Sequence, residues 1–417
     1  MSGETWPVVS LASILTDIQP GFASGQHNID GKGVPHFRPM NVSTDGRIDR
    51  TTVKFVAADV GRPSIRLRAG DVLFNNTNSP ELVGKTAHFE GDDQPAFSNH
   101  MTRLRIDRAQ AEPGYIAIRL HHAWREGWFA AHCNNHVSQA SIGREVLRDF
   151  EIELPPLPTQ RQLVAIYTRV DDRKASATHH LERARRAIER FRQAELAAAF
   201  REASEAAEPG SEAVALKHVL REPLKNGYSA RPVNSETRYR VLTLTATTSG
   251  LFDGRFFKYT DETFAEDSPF WLAPGDILIQ RGNTAEYVGV PALYDGPPNS
   301  FLYPDLMIRA RVRDGMDPRY LWYMLLAPQS RNFLRERATG SAGNMPKINQ
   351  KVLNEVPVPV PSDAVREAIV QRLGNAMALA TDASARVRLG SGAVERTSQS
   401  VFAMALRGAS AGDEETA

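Results

Sequence analysis

The sequence predicts an α+β protein: two mixed α/β domains in tandem repeat, each followed by a long helix. Three observations lead to this prediction. The chain carries the same series of short motifs twice, in one order. A Pro-rich segment ends each copy, and a long stretch with helical periodicity follows it. Because both helical stretches are amphipathic, we expect the two helices to pack on each other as an antiparallel coiled coil.

The repeat has an offset of about 205 residues, which is too long for a solenoid unit and suits duplicated domains. GDVLF at 70–74 recurs as GDILI at 275–279, and the Val-Gly step at 83–84 recurs at 288–289. Three longer segments also match, namely 9–24 with 214–230, 46–56 with 250–260, and 142–155 with 348–361. Several motifs in the same order indicate a true duplication.

Short β-rich segments alternate with Gly, Pro and Asn turns in each copy, which is typical of strands in a mixed α/β domain. Examples in the first copy are VKFV, DVLF and MTRLRI. A helical pattern follows at 114–132 in the first copy and at 318–338 in the second. The Pro-rich strings at 153–158 and 356–361 predict extended connectors, because proline is excluded from helix interiors and central strands.

The domain boundaries follow from these connectors and from the helical periodicity. In the first long helix, apolar residues recur at alternating spacings of four and three, as in a coiled-coil seam. These residues are Ala177, Leu181, Ala184, Ile188 and Phe191. Glycines at 374, 390 and 392 lower the helix propensity of the second, so the sequence leaves its continuity open. We predict a first domain at 1–158, a helix at 159–205, a linker at 206–211, a second domain at 212–362, a helix at 363–408 and a disordered tail at 409–417.

Composition narrows the functional classes. A formal net charge of +1 argues against a protein that coats nucleic acid by bulk electrostatics, but a reader of base edges stays open. Cys133 is the single cysteine, so no internal disulfide forms and a reducing, cytoplasmic location is favoured. No stretch approaches the roughly 18 apolar residues that a membrane helix needs. We therefore expect no membrane association.

The segment LPPLPTQRQLVAIYTRVDDRKASATHHLERARRAIERFRQAELAAAF at 154–200 carries the clearest family resemblance. It is similar to the central region of type I restriction specificity subunits, where a Pro-Leu-Pro motif precedes a Gln-containing helix start and a spacer helix. The order of GD element, Pro-rich connector and helix, present twice, extends the resemblance over nearly the whole chain. The second copy departs from the pattern, because it lacks the glutamine that stands at Gln160 in the first.

The resemblance implies two target-recognition domains, each reading one half of a split sequence in double-stranded DNA. It also implies spacer helices that dock two methyltransferase subunits, with a translocating nuclease subunit as an optional further partner. The partner-binding residues expected on the first spacer helix are Gln160, Leu163, Ile166, Leu181, Ile188 and Phe191. An alternative is the recognition subunit of another phage-defence methyltransferase system without a nuclease partner.

Catalytic motifs are not found in the sequence. An adenine methyltransferase needs Asp or Asn before two prolines, yet the Pro-Pro pairs follow Leu154 and Gly296. No His-Glu-x-x-His motif indicates zinc. We expect a non-catalytic subunit without cofactor or metal sites, and we expect S-adenosylmethionine, with ATP and magnesium where a nuclease joins, on the partners. A self-contained enzyme and a purely structural coiled-coil scaffold are the alternatives from other classes.

Candidate DNA contacts follow from residue type and place, because base edges are read by Arg, Lys, Asn, Gln, Ser and Thr on loops. In the first copy the candidates are Arg38, Asn41, Asn75, Asn76, Thr77, Asn78 and Lys85. In the second copy they are Arg240, Thr243, Gln280, Arg281, Asn283, Thr284 and Lys347. The alternative for the polar loops is that their side chains cap backbone groups in turns.

Overall fold

A computed structural model describes residues 6–58, 63–136, 139–207, 213–340 and 345–408. The chain divides into two compact units. The first unit takes its residues from Met1–Thr178 and Gly392–Ala417, and the second from His179–Ser391. The predicted tail at 409–417 and residues 208–211 of the predicted linker lie outside the described residues. No described helix is long and apolar enough to cross a membrane.

The first unit is built around a four-stranded antiparallel sheet in the order β2-β9-β5-β7. Its strands are β1 Val8–Ser10, β2 Leu15–Pro20, β3 Val34–Phe37, β4 Lys54–Val56, β5 Val72–Asn75, β6 Thr77–Asn78, β7 Thr86–His88, β8 Ala96–Phe97, β9 Met101–Ile106, β10 Asn134–His136, β11 Gln139–Ser141 and β12 Glu151–Glu153. Its helices are α1 Pro113–Arg125, α2 Trp128–His132, α3 Arg144–Arg148 and the start of α4 Leu157–Glu205. Smaller sheets join β4-β3-β8, β10-β11-β6 and β1-β12.

The second unit repeats this plan with the sheet order β14-β19-β17-β18. Its strands are β13 Val214–Ala215, β14 Lys225–Asn226, β15 Tyr239–Leu242, β16 Phe257–Thr260, β17 Ile277–Gln280, β18 Pro291–Leu293, β19 Met307–Ala310 and β20 Pro357–Val358. Its helices are α5 Pro318–Leu326, α6 Pro328–Arg337, α7 Gln350–Asn354 and most of α8 Asp363–Gly408. The strands β15 and β16 pair with each other, and β13 pairs with β20.

The central strand of each main sheet is buried on both faces. In β5, Val72 and Phe74 enter the core that contains α1, while Leu73 enters a separate apolar cluster on the other face. In β17, Ile277 and Ile279 face one core and Leu278 the other. Successive side chains of a strand point to opposite faces. The uninterrupted apolar runs at 72–74 and 277–279, which follow the Gly-Asp pairs, therefore reflect a core on both sides of each strand.

The repeated Gly-Asp pair is a structural element of these sheets. Gly70 and Gly275 have φ angles of +95° and +91°, a region that glycine enters without steric cost. Each following aspartate is buried and holds an arginine of the neighbouring strand: Asp71 binds Arg105 (Oδ1–Nε 2.9 Å). Asp276 binds Arg311 in the same way, with a distance of 2.5 Å. The motif therefore ties two strands together.

The two long helices pack against each other in antiparallel orientation. In the second unit Glu202 of α4 contacts Arg372 of α8 (2.6 Å), and Arg192 contacts Thr381 (3.2 Å). Helix α8 is continuous between residues 363 and 408, so its glycines do not interrupt it. A Cβ at Gly390 would lie 3.1 Å from Leu181 of α4, so glycine allows close approach of the helices.

Three predicted segments differ in detail from the observed elements. Helix α4 begins at Leu157, inside the predicted connector 153–158, because proline is tolerated in the first turn of a helix. The predicted helix at 114–132 is two helices separated by the left-handed Gly127. The predicted helix at 318–338 breaks before Pro328, which opens α6.

Candidate nucleic-acid interface

The polar loop after β5 is held by its own hydrogen bonds. Asn75 is fully buried, and its Nδ2 donates to the Leu82 carbonyl (3.1 Å). Asn76 is half-buried, and its Nδ2 donates to the Thr102 hydroxyl (2.8 Å). The structure therefore corrects the prediction of a DNA contact at Asn75. Its buried side chain stabilises the loop and is not accessible to a DNA duplex.

The next two residues of that loop form strand β6 and pair with β11. The Thr77 hydroxyl donates to Asn76 Oδ1 (2.8 Å), and Asn78 Oδ1 accepts from the Ser79 backbone (2.9 Å). Both side chains are half-buried. These contacts favour the capping alternative, although Asn76, Thr77 and Asn78 keep part of their surface open to solvent.

The equivalent loop after β17 has one buried member and several accessible ones. Gln280 is fully buried; its Nε2 donates to the Leu244 carbonyl (3.0 Å), and its Oε1 accepts from Asn283 Nδ2 (2.6 Å). The prediction of a DNA contact at Gln280 is thereby corrected. Asn283 and Arg281 are half-buried, while Thr284 is exposed.

Lys347, which is a predicted DNA contact more than 60 residues later in the sequence, lies beside this loop. Its backbone bridges Gly282, and the Ile348 N–H donates to the Arg281 carbonyl (2.8 Å). The Lys347 side chain is exposed. Tertiary structure therefore brings the cations of Arg281 and Lys347 to one loop cluster of the second unit.

Asn41 and Lys85 serve as internal braces of the first unit. Lys85 is 5% exposed, and its ammonium donates to the carbonyls of Pro39 (3.2 Å) and Val42. Burial lowers the pKa of Lys85. Asn41 is 1% exposed and bridges the Arg38 N–H and the Asp49 carbonyl (both 2.9 Å). These two residues are corrected from DNA contacts to structural supports, because neither presents its polar group at the surface.

Arg38 and Thr243 occupy equivalent, half-buried positions just before the 3₁₀ turns Pro39–Asn41 and Leu244–Thr247. Arg240 lies three residues before Thr243, with its guanidinium 4.6 Å from the centre of the Phe301 ring. Such a cation–π contact fixes the side chain. The Thr243 hydroxyl donates to the Phe256 carbonyl (3.3 Å) and can still accept a hydrogen bond, and Arg38 Nη2 contacts the Met40 sulfur (3.0 Å).

A cleft of about 240 Å³ in the second unit is lined partly by residues that are not among the predicted DNA contacts. Tyr228, which is 39% exposed, lines it together with Thr243, Lys258 and Asp305. A Cβ at Gly227 would lie 2.2 Å from the Pro304 carbonyl, so this glycine lets the two walls meet. A glycine followed by an aromatic residue recurs in the matching segments 9–24 and 214–230, and this was the signal for Tyr228. Nothing local marked Asp305.

The predicted partner-binding residues divide into internal and accessible groups. Gln160 is fully buried, accepting from the Glu112 N–H and donating to the Pro155 carbonyl (both 2.7 Å). Leu163 is 5% exposed and belongs to the first unit's core. Both are corrected to structural roles. The others on α4 are half-buried, or exposed in the case of Phe191, namely Ile166, Leu181, Ile188 and Phe191.

Arg366 takes the place of the missing glutamine in the second copy. Its Nη1 donates to the Pro361 carbonyl (2.8 Å), as Gln160 does to the Pro155 carbonyl. The departure from the family pattern therefore keeps the contact that anchors the helix start. Within the described residues, no group of His, Cys, Asp and Glu is arranged to hold a metal ion.

Sequence comparisons identify relatives along the chain, although no protein-family model matches it. The type I restriction enzyme EcoKI specificity subunit of Escherichia coli is 26% identical over 97% of this chain and 89% of its own length. The StySPI specificity subunit of Salmonella potsdam is 23% identical over 97% and 88%. A putative MjaX specificity subunit of Methanocaldococcus jannaschii is 35% identical, but the match spans only 40% of each chain.

Solved structures show the same fold at low sequence identity. A chain from a study of complex assembly and conformational transition of the type I R-M system has a TM-score of 0.71 at 19% identity, covering 97% of this chain and 98% of that one. The HsdS subunit from Thermoanaerobacter tengcongensis has a TM-score of 0.52 at 19% identity, covering 97% of both chains. The predicted fold and the family recognised from the sequence are confirmed. Over nearly its whole length, the chain is similar to type I restriction specificity subunits.

Proposed function

We propose that this chain selects the DNA site for a type I restriction–modification complex and has no catalytic chemistry of its own. One observation carries the proposal: the same domain plan occurs twice, with the sheet orders β2-β9-β5-β7 and β14-β19-β17-β18, while the accessible loop residues differ. A repeated scaffold with divergent loops suits a protein that reads two different half-sites. Its similarity to type I restriction specificity subunits supports the same function.

Each domain would read one half of a split sequence in double-stranded DNA. Direct reading needs donors and acceptors aimed at base edges, while cations on phosphates set the position of the protein. The loop cluster of Arg281, Thr284 and Lys347 offers both kinds of group. Arg38 supplies a donor in the first unit.

The spacer helices would dock two methyltransferase subunits. Leu379 and Leu389 of α8 are 63% and 70% exposed, and Phe191 of α4 is 37% exposed. Large apolar side chains exposed on a coiled coil suit burial by a partner. Adenine methylation with S-adenosylmethionine, and cleavage with ATP and magnesium where a translocating nuclease joins, would then belong to the partners.

Sequencing of methylated adenines in cells with and without this gene tests site selection. We expect a split motif that disappears on deletion, and replacement of residues 212–362 by the equivalent domain of a relative should change one half only. The matched control replaces 1–158 and should change the other half. A motif that survives deletion would contradict the proposal, and co-purification without a nuclease would favour the nuclease-free alternative.

A further inference from the structure

The first unit has side chains at positions equivalent to those in and beside the second unit's cleft at β15 and β16. The Arg281 N–H donates to the Leu306 carbonyl (2.7 Å), and in the first unit the Asn76 N–H donates to the His100 carbonyl (3.0 Å). Arg281 is therefore equivalent to Asn76. The residues before the two acceptors, Asp305 and Asn99, are equivalent as well.

Strand register gives two further equivalent pairs. Arg38 and Thr243 both precede a 3₁₀ turn. Lys54 pairs with the residue two before Arg38, and Lys258 pairs with the residue two before Thr243. The two lysines therefore occupy the same position in their units.

The fifth pair follows from the close-packed glycines. The Gly21 N–H donates to the Met101 carbonyl and the Gly227 N–H donates to the Met307 carbonyl (both 3.0 Å). Each methionine is the first residue of a main-sheet strand. Phe22 follows the first glycine and Tyr228 the second. An aromatic ring therefore stands at the same point of each unit, and only the second carries a hydroxyl.

Of the five pairs, one has the same residue type in both units and four have different residue types. Lysine is the same in both units, and Lys258 is exposed. The variable pairs are Phe22 with Tyr228, Arg38 with Thr243, Asn76 with Arg281, and Asn99 with Asp305. Among the residues that the structure describes, no hydrogen bond or ion pair occupies the Asp305 carboxylate or the Lys258 ammonium. A carboxylate and an ammonium left free in a cleft are available to a ligand.

We propose that these five positions set the base sequence that each unit reads. The lysine binds a phosphate and the variable residues face base edges, except Asn76, whose amide is held by the Asn99 carbonyl and the Thr102 hydroxyl. This inference rests on the proposed function. A phosphate contact carries no sequence information, so it stays constant between units that read different half-sites. A carboxylate only accepts hydrogen bonds, so Asp305 selects an amino donor such as cytosine N4. Asn99 suits adenine, with which an amide pairs in bidentate fashion.

Binding selection from duplexes randomised over the second half-site tests this inference, using the chain purified with its methyltransferase subunit. Asp305→Asn should shift the preferred base at one base pair of that half by about tenfold and leave the first half unchanged. Asp314→Asn is the matched control, because Asp314 is exposed on the loop after β19, away from the cleft. Lys258→Gln should weaken binding to all sequences and reduce the salt dependence, with base preference retained.

The outcomes separate this inference from the function on which it rests. A wild-type complex without any sequence preference would overturn the proposed function itself. A wild-type preference that persists unchanged in Asp305→Asn would overturn the reading positions alone. If Asp305→Asn weakens assembly, Thr243→Val, at the residue that follows β15 in the same cleft, is measured in the same way. An unchanged preference there also overturns the inference, and a shift confined to the second half supports it.

Discussion

The two units attach their domains to the long helices by different forces. In the second unit, Leu196, Phe200 and Ala203 of α4 and Ile369 and Leu373 of α8 belong to the same apolar core as the domain's main sheet. In the first unit, α4 contributes the buried Leu163 and the partly buried Val164 to the domain core. Further along that helix, the Tyr167 hydroxyl and several charged side chains make the contacts.

Those charged contacts form a clasp made of Asp45, Arg47, Asp171, Lys174 and Glu395. Arg47 contacts Asp171, and Lys174 lies 3.2 Å from Asp45 and 2.8 Å from Glu395. Partly exposed ion pairs contribute little net stability and are screened by salt, whereas apolar burial is not. Duplicated domains can therefore keep one fold while their attachment to the same pair of helices differs in strength.

Lowering the pH should produce the largest difference in stability between the two units. His36 and His121 of the first unit are buried, and burial lowers the pKa of each from 6.5 to about 4. Because the unfolded chain binds these protons first, the stability they contribute is complete above about pH 6.5 and is lost as the pH falls towards 4. The loss is roughly 3 kcal/mol for each histidine. Peptide-resolved hydrogen exchange at pH 7 and pH 4, corrected for intrinsic rates, measures this loss of stability.

His121→Gln is the control for this prediction. The Thr86 N–H donates to His121 Nδ1 (3.4 Å), so a proton on that nitrogen would face another donor. We expect the variant to show a shallower fall in stability between pH 6.5 and 4.5. His179, His180 and His218 of the second unit are exposed. Equal acid sensitivity of both units would contradict the comparison.

Removing an apolar side chain of α4 should have the next largest effect. Phe200→Ala removes a ring that is 9% exposed in the second unit's core, and we expect a loss of about 3 kcal/mol in the free energy of unfolding. Phe191→Ala makes the same change where the ring is 37% exposed, and should cost less than about 1 kcal/mol. Urea titration of both variants measures the difference. Similar losses would show that the shared core does not hold the second unit to its helices.

Substitutions at the starts of α4 and α8 should have a smaller effect on stability, and they test whether Gln160 and Arg366 are equivalent. Gln160→Leu leaves the Glu112 N–H without its acceptor, which should cost roughly 1–3 kcal/mol. Arg366→Gln should cost less than about 1 kcal/mol, because glutamine also donates to a proline carbonyl at this position of the first copy. Thermal unfolding of the two variants tests whether the positions are equivalent. A larger loss for Arg366→Gln would break the equivalence.

The clasp should show the smallest effect. Lys174→Met removes two ion pairs whose acidic partners are 41% and 52% exposed, so we expect a loss of no more than about 1 kcal/mol at low salt. The difference from wild type should vanish near about 1 M salt, where screening extends over only a few ångströms. Hydrogen exchange of the segment 43–48 measures it. Lys217→Met, at an exposed lysine of the second unit, is the matched control and should show no salt-dependent change.

Sequence reasoning predicted the candidate site only in part. The loops after β5 and β17 were found by composition, yet Asn75 and Gln280 turned inward to brace those loops. Composition does not distinguish an amide that caps a backbone group from one that reads a base. Asp305 was missed because it is one acid among many, and its role depends on the walls that surround it.

The duplication, the family resemblance, the apolar central strands and the two long helices could be predicted from the sequence, because they depend on periodicity and on motif order along the chain. The tertiary structure alone decided which polar side chains are buried, that Gly390 faces Leu181 across the helix pair, and that Lys347 lies beside Arg281. These are contacts between residues distant in sequence. Their energies depend on burial and approach distance, neither of which is a property of a local pattern.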